Sequence, residues 1–153
     1  MPRISRFEIL KKREQPTLFI RDKTKVEDLP MLIGEKYGKM AAYLEELGEY
    51  LSDVPYVAYH NMDMQNLDVE IGFPVAKALA GKGEIQAGII PAGMIAFCMY
   101  RGAYHEIEPV YDEMVQWMAE NNHRPIGTVY EHYYNDYEFS ESELLTMIVM
   151  PFA

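Results

Sequence analysis

Two periodicities run along the chain and predict its elements. Eight short stretches are rich in β-branched and aromatic residues, as strands are, and two longer ones repeat apolar residues at helical spacing. The strands are predicted at residues 7–12, 17–23, 56–61, 67–74, 84–91, 94–101, 127–134 and 144–151. One helix follows Asp28, a candidate N-cap residue before Leu29 and Pro30, and the other ends near Asn121.

The order of these elements occurs twice. Matching residues follow one another at offsets of 72 to 77: Glu8 and Glu84, Tyr37 and Tyr111, Met40 and Met114, Val57 and Val129, His60 and His132, Pro74 and Pro151. Their consistent order indicates a duplicated unit, with repeat one at about 6–75 and repeat two at about 82–152. We therefore expect residues 1–153 to form one α+β domain. It would consist of two pseudo-symmetric strand–helix–strand–strand repeats with a central ligand cleft.

Composition and charge narrow the classes of function. The 153 residues are 49% apolar, enough for a packed core. With 14 basic against 24 acidic residues the net charge is −10, which opposes direct binding of nucleic acid. The longest apolar stretch, residues 94–100, is far shorter than the roughly 20 residues that span a membrane. Because the first residues also lack the apolar run of a signal peptide, we expect a cytoplasmic protein with no membrane partner.

Familiar chemical motifs are missing from the sequence. It contains no Walker A loop, no G-x-G-x-x-G, no H-E-x-x-H and no G-x-S-x-G. Cys98 is the single cysteine and lies in an apolar strand, so it is expected to be inert core. The four histidines lack metal-ligand spacing, and His60 and His132 are expected on strand surfaces. Neither a metal nor a cofactor is predicted.

The stretch from Thr128 to Asp136 carries the most informative pattern. On a strand, Val129, Glu131 and Tyr133 share one face. If that face points inward, Glu131 is a desolvated carboxylate that either neutralises a bound cation or acts as a general acid or base. If it points outward, Glu131 is a solvated edge-strand glutamate. The pattern leaves both interpretations open.

Aromatic and methionine residues are abundant. The chain has 12 tyrosines, six phenylalanines, one tryptophan and 11 methionines. Methionine side chains repack around ligands of different shape, and aromatic faces attract organic cations by about 0.5–2 kcal/mol per contact. Trp117 lies beside the apolar stripe of its helix, and Tyr59 is the repeat counterpart of Glu131.

These features resemble the GyrI-like domain, the effector-binding domain of AraC-type and MerR-type regulators, which has a SOUL-like fold. The resemblance covers nearly the whole chain. It rests on Pro91-Ala92-Gly93 before a strand, Tyr100-Arg101-Gly102-Ala103-Tyr104, Tyr111 and Trp117 on a helix, Glu131-x-Tyr133-x-x-Asp136, and the closing run from Leu145 to Pro151.

The resemblance implies a pseudo-symmetric α+β fold that binds small, often aromatic and cationic molecules. In members with a ligand-facing acid, that glutamate matches Glu131. Two departures stand out. Tyr137 replaces the family's usual proline after Asp136, so we expect a different loop there. The first 25 residues are too short and strand-like for a helix-turn-helix domain, so we expect a stand-alone member that reaches DNA only through a partner.

Three functions follow from this interpretation. The first is a multidrug or effector binder that holds a small hydrophobic or cationic molecule, with Glu131 as its anchor and Tyr133, Trp117, Tyr104 and Tyr59 as aromatic walls. The second is a hydrolase of cyclopropane-bearing toxins, with Glu131 as the catalytic acid/base. The third is an interaction module for a protein partner such as gyrase or a regulator, favoured by the acidic surface.

Overall fold

The computed structural model describes residues 3–135 and 138–153, and the fold is α+β. No helix in these two ranges is both long and apolar enough to cross a membrane. The strands and helices, in chain order, are β1 (Glu8–Lys12), β2 (Gln15–Thr24), α1 (Leu29–Leu47), β3 (Tyr56–Tyr59), β4 (Leu67–Pro74), β5 (Gln86–Ile90), β6 (Gly93–Arg101), α2 (Glu108–Glu120), β7 (Val129–Tyr133) and β8 (Leu145–Phe152). Three single-turn 3-10 helices lie between them at Val26–Asp28, Tyr104–Glu106 and Glu141–Glu143.

The residues form two compact units. The amino-terminal unit is Glu14–Pro91. Its four antiparallel strands lie in the order β5, β2, β4, β3. Helix α1 packs on β2 and β4, and the ring of Tyr37 on the helix contacts that of Phe73 on β4. Because side chains alternate along a strand, Val69, Ile71 and Phe73 of β4 face α1, and Glu70 faces away from it.

The carboxyl-terminal unit consists of residues 3–13 and 92–153. Its strands are antiparallel in the order β1, β6, β8, β7. One buried cluster joins the sheet to α2, and apolar residues spaced by four on the helix supply its helical side. Its members are Ala96, Cys98, Tyr100, Val110, Met114, Met118, Val129, Ile148 and Met150.

The eight strands and two helices are those that the sequence predicts, with ends that differ by a few residues. The sequence did not indicate which strands the first strand of each repeat pairs with. β1 pairs with β6, and β5 pairs with β2. Each compact unit therefore includes the first strand of the other sequence repeat. An apolar pattern predicts that a segment is a strand, but it does not predict which strand lies beside it.

The helix starts are only partly as expected. Asp28 does precede α1, and a proline lies in the first turn of both helices. The side chain of Asp28 makes no capping hydrogen bond, however, because its backbone belongs to a preceding 3-10 turn and has helical rather than extended dihedrals.

Candidate functional site

Glu131 lies inside the carboxyl-terminal unit, on the face of the sheet that α2 covers. Its register partner on β8 is Ile148, a member of the cluster under α2. Only 7% of the Glu131 surface is exposed. The inward orientation that the strand pattern left open is therefore the one that the structure shows.

Two tyrosine hydroxyls hold the Glu131 carboxylate. Tyr133, two residues along β7, donates to Oε1 at 2.8 Å. Tyr111 on α2 donates to Oε2. Because one hydrogen bond comes from the same strand and the other from the helix, the orientation of the Glu131 carboxylate is fixed. Phenols are neutral donors, so they leave the negative charge of an ionised carboxylate in place.

Tyr104 extends this group towards the link between β6 and α2. Its ring meets the ring of Tyr133 edge-on, with 5.4 Å between centroids. Tyr100, fully buried on β6, donates its hydroxyl to the carbonyl of Ala103. Burial raises the pKa of the Tyr100 phenol, and the nearby charges of Glu106 and Glu131 raise it further.

The other two predicted walls, Trp117 and Tyr59, are each described within their own unit. Trp117 packs against Phe7 and His123, with ring centroids 5.5 and 5.9 Å apart. It is six residues beyond Tyr111 on α2, about 9 Å along the axis and on another side of the helix. Tyr59 belongs to the amino-terminal unit, where it is buried on the α1-facing side of β3 opposite Val69.

A surface depression lies in the carboxyl-terminal unit beside the link that carries Tyr104. It has a volume of about 700 Å³, and we call it the outer depression. Its lining is Tyr100, Arg101, Gly102, Ala103, Glu106, Pro109, Glu141 and Ser142. Tyr100 and Ala103 thus line the depression and also adjoin the residues around Glu131.

A second buried carboxylate, which was not among the site residues predicted from the sequence, lies in the amino-terminal unit. Glu70 is 9% exposed on β4. Its Oε2 accepts a hydrogen bond of 2.6 Å from Tyr56, and its Oε1 lies 3.1 Å from Nε2 of His60. A charged residue within residues 69–74, which are otherwise uncharged, was the signal that could have revealed it.

Other sequence expectations have mixed outcomes. Cys98 is buried, and burial raises its pKa to about 12, as expected of an inert thiol. His132 is only 6% exposed, so its prediction as a surface histidine was wrong. In the described part of the chain no three His, Cys, Asp or Glu side chains group to hold a metal ion. Asp136 and Tyr137 lie outside the described residues.

A family model decides the classification. The model of the GyrI-like small molecule binding domain matches residues 6–153. The chain belongs to this GyrI-like family. The resemblance predicted from the sequence is therefore confirmed, while a search of curated proteins gave no match.

Solved structures share the GyrI-like fold at low sequence identity. EcmrR in its DNA complex superposes with a TM-score of 0.84 at 19% identity, and the match covers 97% of this chain but 57% of that one. The isolated EcmrR C-terminal domain gives 0.81 at 19% identity and 98% coverage of both chains.

A hydrolase from Listeria innocua gives 0.72 at 15% identity, covering 97% of this chain and 92% of that one. SAV2435 bound to tetraphenylphosphonium gives 0.71 at 11% identity, covering 97% and 94%. At these identities, the similarities show the fold of this GyrI-like chain and do not identify its ligand.

Proposed function

We propose that this GyrI-like protein binds a hydrophobic organic cation against the Glu131 carboxylate, with the rings of Tyr104, Tyr111 and Tyr133 beside it. The observation that carries the proposal is a carboxylate enclosed between sheet and helix and oriented by two phenols. A buried carboxylate is costly unless it is paired or hydrogen-bonded. Phenol hydrogen bonds offset part of that cost, and a cationic ligand offsets more.

The surroundings of Glu131 favour a lipophilic cation over a small metal ion. Aromatic rings present a negative face to a cation, worth about 0.5–2 kcal/mol per contact. A fold neighbour, SAV2435, has been solved with tetraphenylphosphonium, a cation whose charge is surrounded by phenyl rings. The role of Tyr59 as a further wall, and the multidrug breadth that the methionines suggest, stay predictions of this proposal.

The direct test is calorimetric titration of wild type and Glu131→Gln with tetraphenylphosphonium. Glutamine keeps the shape and removes the charge, so we expect affinity to fall about 10- to 100-fold, or about 1.4–2.7 kcal/mol. Neutral triphenylphosphine oxide, a ligand of related shape, should bind both proteins alike.

Glu70→Gln is the matched control, because it also removes a buried carboxylate that accepts from a tyrosine. It should keep the wild-type affinity for the cation. An unchanged affinity in Glu131→Gln, or an equal loss in Glu70→Gln, would refute Glu131 as the anchor.

A second candidate is hydrolysis of a strained, cyclopropane-bearing electrophile. It is favoured by the hydrogen bond between the Tyr111 hydroxyl and the Glu131 carboxylate, which pairs a proton donor with a base. As water attacks one ring carbon and the ring bond breaks, Glu131 would take a proton from that water and Tyr111 would protonate the leaving carbon. The Tyr111 phenolate would then regain a proton from Glu131 through their hydrogen bond. Turnover measured by mass spectrometry should then disappear in both Glu131→Gln and Tyr111→Phe. Turnover that survived in either variant would refute this mechanism.

A further inference from the structure

The hydroxyl of Thr146 on β8 is buried without a hydrogen-bond partner. Thr146 is 0% exposed, and its Oγ1 meets no donor or acceptor among the described residues. A hydroxyl that is removed from water without a compensating hydrogen bond destabilises the folded state. Valine has the same branched shape, suits a strand equally well and avoids that cost. Position 146 therefore carries a polar group that the described fold does not use.

Thr146 lies on the same face of the sheet as Glu131. It is directly opposite Tyr133 on β7 and Tyr100 on β6. Opposed residues of antiparallel strands point to one face, so Thr146 shares the face that carries Tyr133 and Glu131. Because Glu131 is opposite Ile148, Thr146 is its diagonal neighbour, with Cα atoms about 7–8 Å apart. The hydroxyl and the carboxylate therefore lie within the span of one small organic molecule.

The two tyrosines that flank Thr146 donate their hydroxyls to other acceptors. Tyr133 donates to Oε1 of Glu131 at 2.8 Å, and Tyr100 donates to the carbonyl of Ala103. Tyr100 also lines the outer depression. Thr146 thus lies between a residue of the Glu131 group and a residue of the depression. Its hydroxyl can both donate to and accept from a polar atom of a bound molecule.

Thr17 provides a contrast in the amino-terminal unit. Its Oγ1 is also buried without a partner among the described residues. The residues opposite Thr17 are Pro74 on β4 and Gly88 on β5, neither of which has a polar side chain. The combination of an unpartnered hydroxyl with two flanking tyrosines and a diagonal carboxylate is therefore specific to Thr146, and this combination points to a ligand.

We propose that the Thr146 hydroxyl hydrogen-bonds the ligand whose charge Glu131 neutralises, so that this protein selects hydrophobic cations that also carry a neutral hydrogen-bonding group. The inference rests on the proposed function and adds to it a second polar contact and a narrower class of ligand. A polar group of the ligand would compensate the desolvated hydroxyl, and a purely apolar cation would leave it unpaired. Binding sites reject analogues that lack a hydrogen-bonding group for this reason.

Matched pairs of cations test this selection. In triphenylphosphonium cations whose fourth ring carries either a hydroxymethyl or an ethyl group, the two ligands share charge and shape and differ in one hydroxyl. Ortho, meta and para isomers place that hydroxyl at different distances from the phosphorus. Calorimetric titration gives the preference for hydroxymethyl over ethyl as a ratio of dissociation constants. For at least one isomer, this preference should fall about three- to tenfold from wild type to Thr146→Val.

Thr17→Val is the matched control, because it also exchanges a buried, unpartnered hydroxyl for a methyl group. It should keep the wild-type preference. Both valine variants should raise the urea midpoint, since each removes an uncompensated hydroxyl. A lowered midpoint in Thr146→Val would mean that the hydroxyl is already satisfied in the free protein, and this would overturn the inference.

The ligand measurements separate this inference from the proposed function. Equal preferences in wild type and Thr146→Val for all three isomers, or an equal change in Thr17→Val, would overturn the role of Thr146 and leave Glu131 as the anchor. Absence of cation binding by wild type, or an affinity unchanged in Glu131→Gln, would overturn the proposed function and this inference together.

Discussion

Tyr37 and Tyr111 occupy matching positions on the two helices, yet their hydroxyls donate to different acceptors. Tyr37 reaches the backbone carbonyl of Tyr56 at 3.0 Å, whereas Tyr111 reaches the carboxylate of Glu131. The difference follows from one position: where one repeat has Glu131, the other has Tyr59. The same tyrosine on each helix therefore donates to a backbone carbonyl in one unit and to an ionisable side chain in the other.

The two buried carboxylates differ in the same way. Glu131 lies on the helix-covered face of its sheet, and Glu70 lies on the face turned away from α1. Glu70 is accompanied by His60, which becomes a cation when it takes up a proton. Glu131 is held by phenols that cannot become cations. A histidine ring nitrogen and a tyrosine hydroxyl thus lie against the Glu70 carboxylate, and two tyrosine hydroxyls lie against that of Glu131.

The largest expected effect comes from disturbing the support of Glu70. A Cβ on Gly72 would lie 2.3–2.5 Å from the ring and hydroxyl of Tyr56, which is fully buried and bonded to Glu70. Gly72→Ala should therefore lower the free energy of unfolding by about 3 kcal/mol, as overpacking does. Urea denaturation measures this change.

Gly38→Ala provides the control, because nothing lies within 4 Å of a Cβ at that exposed position of α1. It should raise stability by about 0.5–1 kcal/mol through helix propensity. If Gly72→Ala were as well tolerated as Gly38→Ala, Tyr56 would not be fixed in the orientation that holds Glu70.

A paired substitution sharpens the comparison between the helices. Tyr111→Phe removes a donor to a carboxylate and should cost about 2 kcal/mol of unfolding free energy. Tyr37→Phe removes a donor to a backbone carbonyl and should cost about 1 kcal/mol. Both variants lose the same atom from matching positions, so their difference in urea midpoint isolates the acceptor. Equal losses of unfolding free energy would mean that the hydrogen bond to the Glu131 carboxylate is no stronger than the one to a backbone carbonyl.

The sequence predicts most of the fold because each element leaves a local signal. Strand alternation also placed Val129, Glu131 and Tyr133 on one face correctly. It could not supply Tyr111 as a partner, since a helix stripe marks which residues face the sheet and not which strand residue each one meets. The tyrosines repeated at positions 37 and 111 were the available clue.

Longer-range features were beyond the reach of local pattern. Pairing of β1 with β6 depends on where the chain travels after the first strand, and both repeats open with the same Glu-Ile pair, Glu8-Ile9 and Glu84-Ile85. Trp117 is near Tyr111 in sequence, but the helical rotation between them directs it to Phe7. Glu70 gained its partners from a neighbouring strand, which only the register reveals.

The smallest expected effect concerns the ion pair beside Glu70. Arg21 binds Asp68 through two contacts of 2.6 and 2.8 Å. This hydrogen bonding lowers the pKa of Asp68 below its usual 3.8. A lowered folded-state pKa adds stability above the unfolded pKa, and that stability is lost as pH falls through the folded value.

Arg21→Gln should therefore cost about 0.5–1 kcal/mol at pH 7, a modest figure because the pair is partly exposed. The cost should persist to about pH 4 and fade below it, as Asp68 takes up its proton in both proteins. Urea unfolding at pH 7 and pH 2.5 compares the two regimes. A loss of the same size at both pH values would show that Arg21 contributes through packing of its aliphatic stem. The ion pair with Asp68 would then add nothing to the free energy of unfolding.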